Sequence, residues 1–463
     1  MTTLLSSKER FALGQERRKQ IRRTIHAEWK AKERKVSPLK LLAASMKGRV
    51  PALVTLKYER MACSPFGYFR GAVPVMAYDL SLVGHTGLLS QLCGDAHVRN
   101  LGAYAGPDGR IIFDINDFDE TMIGPFEWDV KRMATSLVLA GREAGVKNLH
   151  CRDAAAMFLE RYRFCMAEFA KMPVLEVGRY QVHRLKDVSP VEGILRMAER
   201  ATPMHTLLTL TEAEQRAAAK KGTAAAEVGP PGRVFKSMPP VLTQVKGEQA
   251  ERVVASLKLY TESLLRERRH LFSQYRPVDV AFKVVGTGSV GLRDYCVYME
   301  GNGTKDPLFL QIKEEVASAY APYDGRVNGV RGAANHKGKY HQGRRVVEGE
   351  RAMQMQSDPF LGWTTMEGRN YLVRQLNDHK ASLQMTDLKT GLLEYAVVCG
   401  ELLARGHARS GDCQMLAGYL GKSARFDLAV GQFAEAYANQ TELDWKQLVQ
   451  WMKGTVRKKV VKK

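Results

Sequence analysis

Cys93-Gly94-Asp95-Ala96-His97-Val98-Arg99-Asn100, resumed fourteen residues after Asn100 by Asp114-Ile115-Asn116-Asp117-Phe118-Asp119-Glu120, is the densest polar cluster in the chain. Phosphoryl transfer from ATP needs a carboxylate to orient the acceptor hydroxyl. It also needs an amide oxygen and a second carboxylate to hold Mg²⁺ against the phosphates. The order D-x-x-x-x-N, hairpin, D-F supplies those oxygens, with Asp95 and Asn100 filling the first step. Ala105-Gly106-Pro107-Asp108-Gly109-Arg110 has turn composition and Ile111-Ile112-Phe113 strand composition, so a hairpin is expected to set Asp117 opposite Asn100. Four acids crowd residues 114–120, which costs free energy unless cations compensate. Asn100, Asp117 and Asp119 are therefore candidate ligands of a divalent ion, with Asp95 the candidate catalytic base and His97 a residue that orders its loop.

A second constellation follows about 190 residues later: Val284-Val285-Gly286-Thr287-Gly288-Ser289-Val290-Gly291, strand patterns at Tyr295–Met299 and Leu308–Lys313, and a turn at Gly301-Asn302-Gly303 between them. Glycines at 286, 288 and 291 let backbone amides approach phosphate oxygens that a Cβ would obstruct. No helix follows directly, so the pattern is not a dinucleotide fingerprint. Lys313, at the end of the second following strand, stands where a kinase places its α/β-phosphate lysine. The helix pattern Arg344–Arg351 offers Glu348 as its partner in preference to Glu350. Tyr371–Leu376 reads as a strand and hinge against which an adenine could lie.

The remaining pattern is coarser. The chain has 463 residues, 45% hydrophobic and 26% charged, as expected of a globular protein and not of a disordered or fibrous one. It lacks an apolar run of spanning length and a signal-peptide core, and its seven scattered cysteines form no C-x-x-C pair. A reduced cytoplasmic protein is expected. The net charge of +21 sits at the ends: residues 1–60 carry 16 Lys/Arg against 5 Asp/Glu and residues 453–463 carry six against none, leaving +4 for the rest. Residues 1–60 are expected to be a basic helical extension, with an exposed helix through Lys8–Lys35. Residues 51–92 read as turns and strands, 61–215 as the part of a helical lobe holding the polar cluster, and 216–250 as an Ala/Gly/Pro/Lys linker. Residues 251–380 read as a β-rich nucleotide-binding lobe, 381–452 as the helical completion of the large lobe and 453–463 as a basic tail.

The first constellation resembles the G-D-x-H-x-x-N … D-F/W-x-D … D signature of aminoglycoside-phosphotransferase-like kinases. The resemblance continues through Gly124-Pro125-Phe126-Glu127-Trp128-Asp129. It implies ATP and Mg²⁺ as cofactors, Asp95 as catalytic base, Asn100 and Asp117 as metal ligands, and Asp129 as a structural partner of the catalytic loop. Over almost the whole chain the sequence also resembles a bacterial family catalogued as uncharacterised, the "domain of unknown function twenty-two fifty-two". That likeness rests on Ser64-Pro65-Phe66, Phe69-Arg70-Gly71, Cys93–His97, Asn116–Thr121, Val346-Val347-Glu348-Gly349 and His407-Ala408-Arg409-Ser410-Gly411-Asp412.

In kinases the glycine loop, lysine and glutamate precede the catalytic loop, whereas here they follow it. The expectation is an α+β, kinase-like bilobal fold with circularly permuted connectivity, which changes the chain order and keeps the contacts. A kinase-ordered alternative would make His407–Asp412 the catalytic loop, but position 417 is Ala where an Asn is needed, and only Phe426-Asp427 is left as a metal loop. His407, Arg409 and Asp412 are therefore auxiliary candidates, together with Asp129 and with Arg70, whose guanidinium suits a carboxylate or phosphate. The expected activity is ATP- and Mg²⁺-dependent phosphotransfer to an unidentified acceptor. The competing reading is a non-catalytic nucleotide sensor or a nucleic-acid binder using the basic ends.

Overall fold

The computed structural model describes residues 5–182, 185–214, 232–326, 340–376 and 378–461, and has a mixed α+β architecture. It begins with α1 (Ser7–Gln20), α2 (Pro38–Ser45), α3 (Pro51–Ala62), α4 (Pro65–Gly71) and α5 (Val73–Leu80). Residues 51–80, expected as turns and strands, are helical. Their prolines stand in the first turn of each helix, where a missing N–H breaks no helical bond. Ser64 caps α4 by accepting the Gly67 N–H at 2.9 Å.

Strands begin with β1 (Leu89–Leu92), β2 (Leu101–Ala105), β3 (Ile111–Ile115) and β4 (Met122–Pro125). The β2–β3 hairpin turns through Gly106–Gly109 as its composition predicts, and β1 pairs antiparallel with β4. Helices α6 (Phe126–Glu143), α7 (Asn148–Phe169), α8 (Val174–Arg179), α9 (Ser189–Arg200) and α10 (Pro203–Leu210) follow.

The segment expected as a linker, 216–250, is ordered over its second half: β6 (Arg233–Phe235) pairs with β5 (Thr211–Ala213), and β7 (Leu242–Val245) edges the main sheet. Residues 216–231 lie outside the described residues. After α11 (Glu248–Ser263) and α12 (Arg266–Phe272), the chain forms the meander β8 (Arg276–Lys283), β9 (Asp294–Gly301) and β10 (Gly303–Glu315). Helix α13 (Gln342–Met353), β11 (Gly362–Met366) and β12 (Arg369–Gln375) complete an antiparallel sheet of order β7-β8-β9-β10-β12-β11. Strand alternation divides its faces. Val280, Val297, Leu310, Ile312 and Val373 form a core with Val253, Leu257 and Tyr260 of α11. On the other face Cys296 and Phe309 pack with Leu207, Phe235 and Leu376, and the polar run Gln311, Lys313, Glu315 continues from Phe309 at every second residue. The strand expected to flank an adenine, β12, is an interior strand, with Tyr371 and Val373 in the α11-side core.

The two-residue strand β13 (Ala381–Ser382) then pairs with β2, and α14 (Leu388–Ser410), α15 (Cys413–Leu420) and α16 (Arg425–Val461) close the chain. One hydrophobic core joins residues from both sides of the main sheet in sequence, including Phe66, Leu137, Phe158, Leu402 and Phe433. Helix α14 lies so close to α7 that a Cβ on Gly400 would meet the Phe158 carbonyl oxygen at 2.5 Å.

The N-terminal helix stops at Gln20 and is not simply a solvated face. It crosses α15 where Gly14 and Gly418 let the backbones touch, since a Cβ on either would collide with a carbonyl oxygen of the other helix. Beyond it, buried His26 bonds Tyr419 Oη at 2.7 Å, and buried Arg34 bridges Asp79 (2.8 Å) and Asp444 (2.8 Å). Part of the N-terminal positive charge is thus matched internally. All seven cysteines are free, and among the described residues no helix is long and apolar enough to cross a membrane.

Candidate active site

Strand β1 delivers the chain into loop 93–100, whose conformation is over-determined. Gly94 has φ +80°, and a Cβ there would collide with the Glu120 carbonyl, so the loop and the acidic segment approach closely only through glycine. Asp129, in the first turn of α6, accepts the Cys93 N–H at 2.8 Å and the Gly94 N–H at 3.0 Å. His407 backs Asp129 at 3.4 Å and is itself held by Tyr162 Oη at 2.8 Å. Asn100 donates its side-chain amide to the Asp95 carbonyl at 2.7 Å, and its own backbone carbonyl accepts from Asn116 N–H at 2.9 Å, fixing the acidic segment beside it.

Asp95 faces fully buried Arg132 of α6, which gives Nε to Oδ1 at 2.7 Å and Nη2 to the same oxygen. Burial pushes the Asp95 carboxyl up to about 6, with Arg132 opposing and Asp117 and Glu120 adding to the shift. Its second oxygen, Oδ2, lies 3.6 Å from His97 Nε2. Burial, reinforced by Arg70 and Arg132, holds His97 well below its usual range, so the imidazole is neutral. The Arg99 N–H donates to His97 Nδ1 at 3.1 Å, which assigns the ring proton to Nε2.

In the acidic segment, Lys313 Nζ bonds Asp119 Oδ2 and lies 3.7 Å from Asp117 Oδ1. Burial opposes both charges, yet the opposite charges win: Lys313 holds the Asp119 carboxyl well below its usual range, and Asp117 with Asp119 holds the Lys313 ammonium well above. Asp117 Oδ1, Asp119 Oδ1 and Glu315 Oε1 are buried without a hydrogen-bond partner. Arg345 of α13 ties the segment down by donating to the carbonyls of Asp119 (2.8 Å) and Thr121 (2.5 Å). Gly349 gives α13 room beside Thr121.

Glu348, expected to pair with Lys313, instead bonds Tyr340 and, at 2.7 Å, Arg344 one turn away. It is on the solvent side of α13, while Val346, Val347, Gly349 and Glu350 face inward. Glu350 does not take its place. It lines a neighbouring cavity with Gln354, Arg374 and Lys380, where burial pushes it up to about 7 and Oε2 has no partner. Lys313 takes its acids from the distant 117–119 segment because β10 runs directly over that segment.

The glycine segment between β8 and β9 closes the site. Gly286 and Gly291 have φ +68° and +91°. Its carbonyls are held by residues assigned from sequence to the N-terminal extension: Arg60 bonds Gly286, Lys57 bonds Gly288, Arg49 bonds Val290 at 2.6 Å, and the Val50 N–H bonds Gly291 at 2.7 Å. The resulting cleft is lined by Arg70, Asp95, His97, Asn100, Asp117, Asp119 and Gly286–Ser289, among others. Arg409 and Asp412 are elsewhere: Arg409 bonds the Gly178 carbonyl, and Asp412 caps α15 and pairs with Arg10 at 3.1 Å. Sequence reading missed Arg49, Lys57, Arg60, Arg132 and Arg345. For Arg132 the signal was Lys131-Arg132 directly ahead of the uncharged stretch Met133–Gly141; the others are basic residues in basic surroundings.

Among the described residues no group of three or more His, Cys, Asp or Glu side chains is arranged to hold a metal by itself. Neither a curated protein nor a solved structure matches the chain. A family model described as "Uncharacterized protein conserved in bacteria (DUF2252)" matches residues 49–451, which contain the whole cleft, and the chain belongs to that family.

Proposed function

We propose that the protein is an ATP- and Mg²⁺-dependent phosphotransferase with a circularly permuted kinase-like arrangement. The observation that carries this reading is the meeting of two sequence-distant half-sites: Asp95, Asn100 and Asp117 line one cleft with Gly286–Ser289, and Lys313 stands beside that cleft's Asp117. The 3.7 Å between Lys313 and Asp117 is well within what a triphosphate with its metal spans. Three further features support it. The lysine stands on the third strand of the meander that begins before the glycine loop, as in kinases. The buried, unpartnered oxygens of Asp117 and Asp119 fit Mg²⁺, which takes one or two carboxylates and completes its shell with phosphate oxygens and water. The helices after the sheet share one core with those before it, so permuted connectivity retains one helical body.

In this reading Mg²⁺, when bound, supplies charge stabilisation at the phosphates, with Asn100, Asp117 and Asp119 as its holders. Asp95 receives the acceptor proton on Oδ2, while Arg132 fixes Oδ1 and Asp129 fixes the loop amides. Lys313, which here bonds Asp119, would be the cation placed to grip the phosphates.

Calorimetry of ATP binding with and without Mg²⁺ on the full chain tests the reading, with Asp117→Asn and Lys313→Met as controls. Micromolar-range binding that needs Mg²⁺ and weakens ~10-fold or more in each variant is expected. A wild-type protein that binds no Mg²⁺–ATP overturns it.

A further inference from the structure

We propose that Arg70 is the side chain that holds the equatorial oxygens of the phosphoryl group as it passes to the acceptor, an arginine supplied in cis by α4; this rests on the phosphotransferase reading. The argument begins with what Arg70 lacks. Among the described residues it forms no ion pair, and its one side-chain contact of hydrogen-bond type is Nε to His97 Nε2 at 3.4 Å. That ring nitrogen carries the proton, because Nδ1 is already the acceptor for the Arg99 N–H, so it has no lone pair to offer. Of the neighbouring cations, Arg132 is engaged with Asp95, Lys313 with Asp119, and Arg49, Lys57 and Arg60 with glycine-segment carbonyls; Arg99, whose buried Nε also has no partner, does not line the cleft. Arg70 alone among these presents an uncommitted guanidinium to the cleft it lines. A part-buried guanidinium with no ion-pair partner, its charge offset only at longer range by Asp95 and Asp117, is one that a bound anion stabilises.

Its placement is as specific as its vacancy. Arg132 Nη2 donates both to Asp95 Oδ1 and, at 3.1 Å, to the Phe69 carbonyl, and its guanidinium lies 4.2 Å over the Phe69 ring. One buried arginine therefore fixes the candidate base and the residue before Arg70 together. On the other side, a Cβ on Gly288 would lie 3.5 Å from the Arg70 carbonyl oxygen, so the tip of the glycine segment touches α4 at this residue. Arg70 thus stands between Asp95 and the glycine tip, where a phosphoryl group passes from nucleotide to acceptor. The acceptor oxygen bonds the γ-phosphorus while the bond from phosphorus to the β–γ bridging oxygen breaks. ADP leaves with that electron pair, and the acceptor proton goes to Asp95. Arg70 exchanges no proton; its planar fork matches the charge spread over the equatorial oxygens.

The test is calorimetry of Mg²⁺–ADP binding to the full chain, with and without aluminium fluoride as the mimic of the transferring group. Wild type, Arg70→Gln and Arg70→Lys are compared, with circular dichroism melts confirming that the variants fold. Expected are Mg²⁺–ADP affinities alike within about 3-fold in all three, fluoride strengthening of ~10²-fold or more in wild type, loss of that strengthening in Arg70→Gln and partial retention in Arg70→Lys. Full strengthening in Arg70→Gln, or wild type that binds Mg²⁺–ADP but gains nothing from fluoride, overturns the role of Arg70 and leaves the nucleotide site standing. Wild type that binds no Mg²⁺–ADP overturns both. If Arg70→Gln does not fold, Arg70→Lys decides: unchanged strengthening there refutes the need for a guanidinium fork.

Discussion

Replacing Arg132 by Met tests whether this guanidinium, rather than loop geometry, sets the charge of Asp95. Arg132 is fully buried, donates twice to Asp95 Oδ1 and once to the Phe69 carbonyl at 3.1 Å, and stacks over Phe69. Met keeps an apolar side chain along much of the same path and removes the charge. In wild type, Asp95 titrates at about 6, against an unfolded value of 3.8, so the folded state holds the extra proton and stability falls as pH rises through that window. Below about pH 6 the carboxyl is protonated in both proteins, and the variant loses guanidinium hydrogen bonds to uncharged acceptors and a cation–π contact, about 1–2 kcal/mol. Above pH 6 wild-type Asp95 ionises and its curve levels. In the variant, burial and the acids Asp117 and Glu120 act without opposition from Arg132, so Asp95 keeps its proton and stability continues to fall by ~1.4 kcal/mol per pH unit. The gap should therefore widen to ~3–5 kcal/mol near pH 8, the range for a broken buried pair. Urea unfolding followed by far-UV circular dichroism at pH 5, 6, 7 and 8 measures it. Parallel stability curves across that range would refute the assignment of the Asp95 charge to Arg132.

Two other perturbations separate local from tertiary causes. Gly94→Ala meets both a positive φ and the Glu120 carbonyl and should cost ~2–4 kcal/mol, whereas Gly109→Ala, at φ +77° with open space around it, should cost ~1 kcal/mol; equal losses in chemical denaturation would contradict the close approach. Glu350→Gln removes a carboxyl that burial raises from 4.5 to about 7. Because the wild-type carboxyl loses stability as pH rises through that window, the stability difference should move in favour of Gln by up to ~3 kcal/mol between pH 4.5 and 7 and then stay constant; a difference independent of pH would show that Glu350 is not desolvated as described.

The readings that held in the structure are those whose causes are local. The β2–β3 hairpin follows from Gly106–Gly109 and the flanking apolar residues, the β9–β10 pair from its strand patterns about the Gly301–Gly303 turn, and α13 from helical spacing within two residues of its start. The reading of residues 51–80 as turns and strands failed because Pro51, Pro65 and Pro74 were taken as breakers. At the start of a helix proline is a pre-organised first-turn residue, and its role depends on which side the helix lies. Glu348 was misplaced for a related reason: two glutamates two residues apart lie on different faces of α13, and helical spacing does not say which face meets the sheet.

By itself the sequence determined the chemistry available: where an acid and an amide stand at a five-residue step, where glycines permit backbone approach, and which lysine ends an apolar strand. These are properties of short segments, set by side-chain type and chain geometry. Only the tertiary structure decided the company those residues keep. Lys313 meets Asp119 across 194 residues, Arg132 holds Asp95, the basic residues at 49–60 bind glycine-segment carbonyls, and Arg409 and Asp412 serve other contacts. Such pairings depend on how separately formed elements pack into a common core, and that packing is a long-range property that no window of sequence contains.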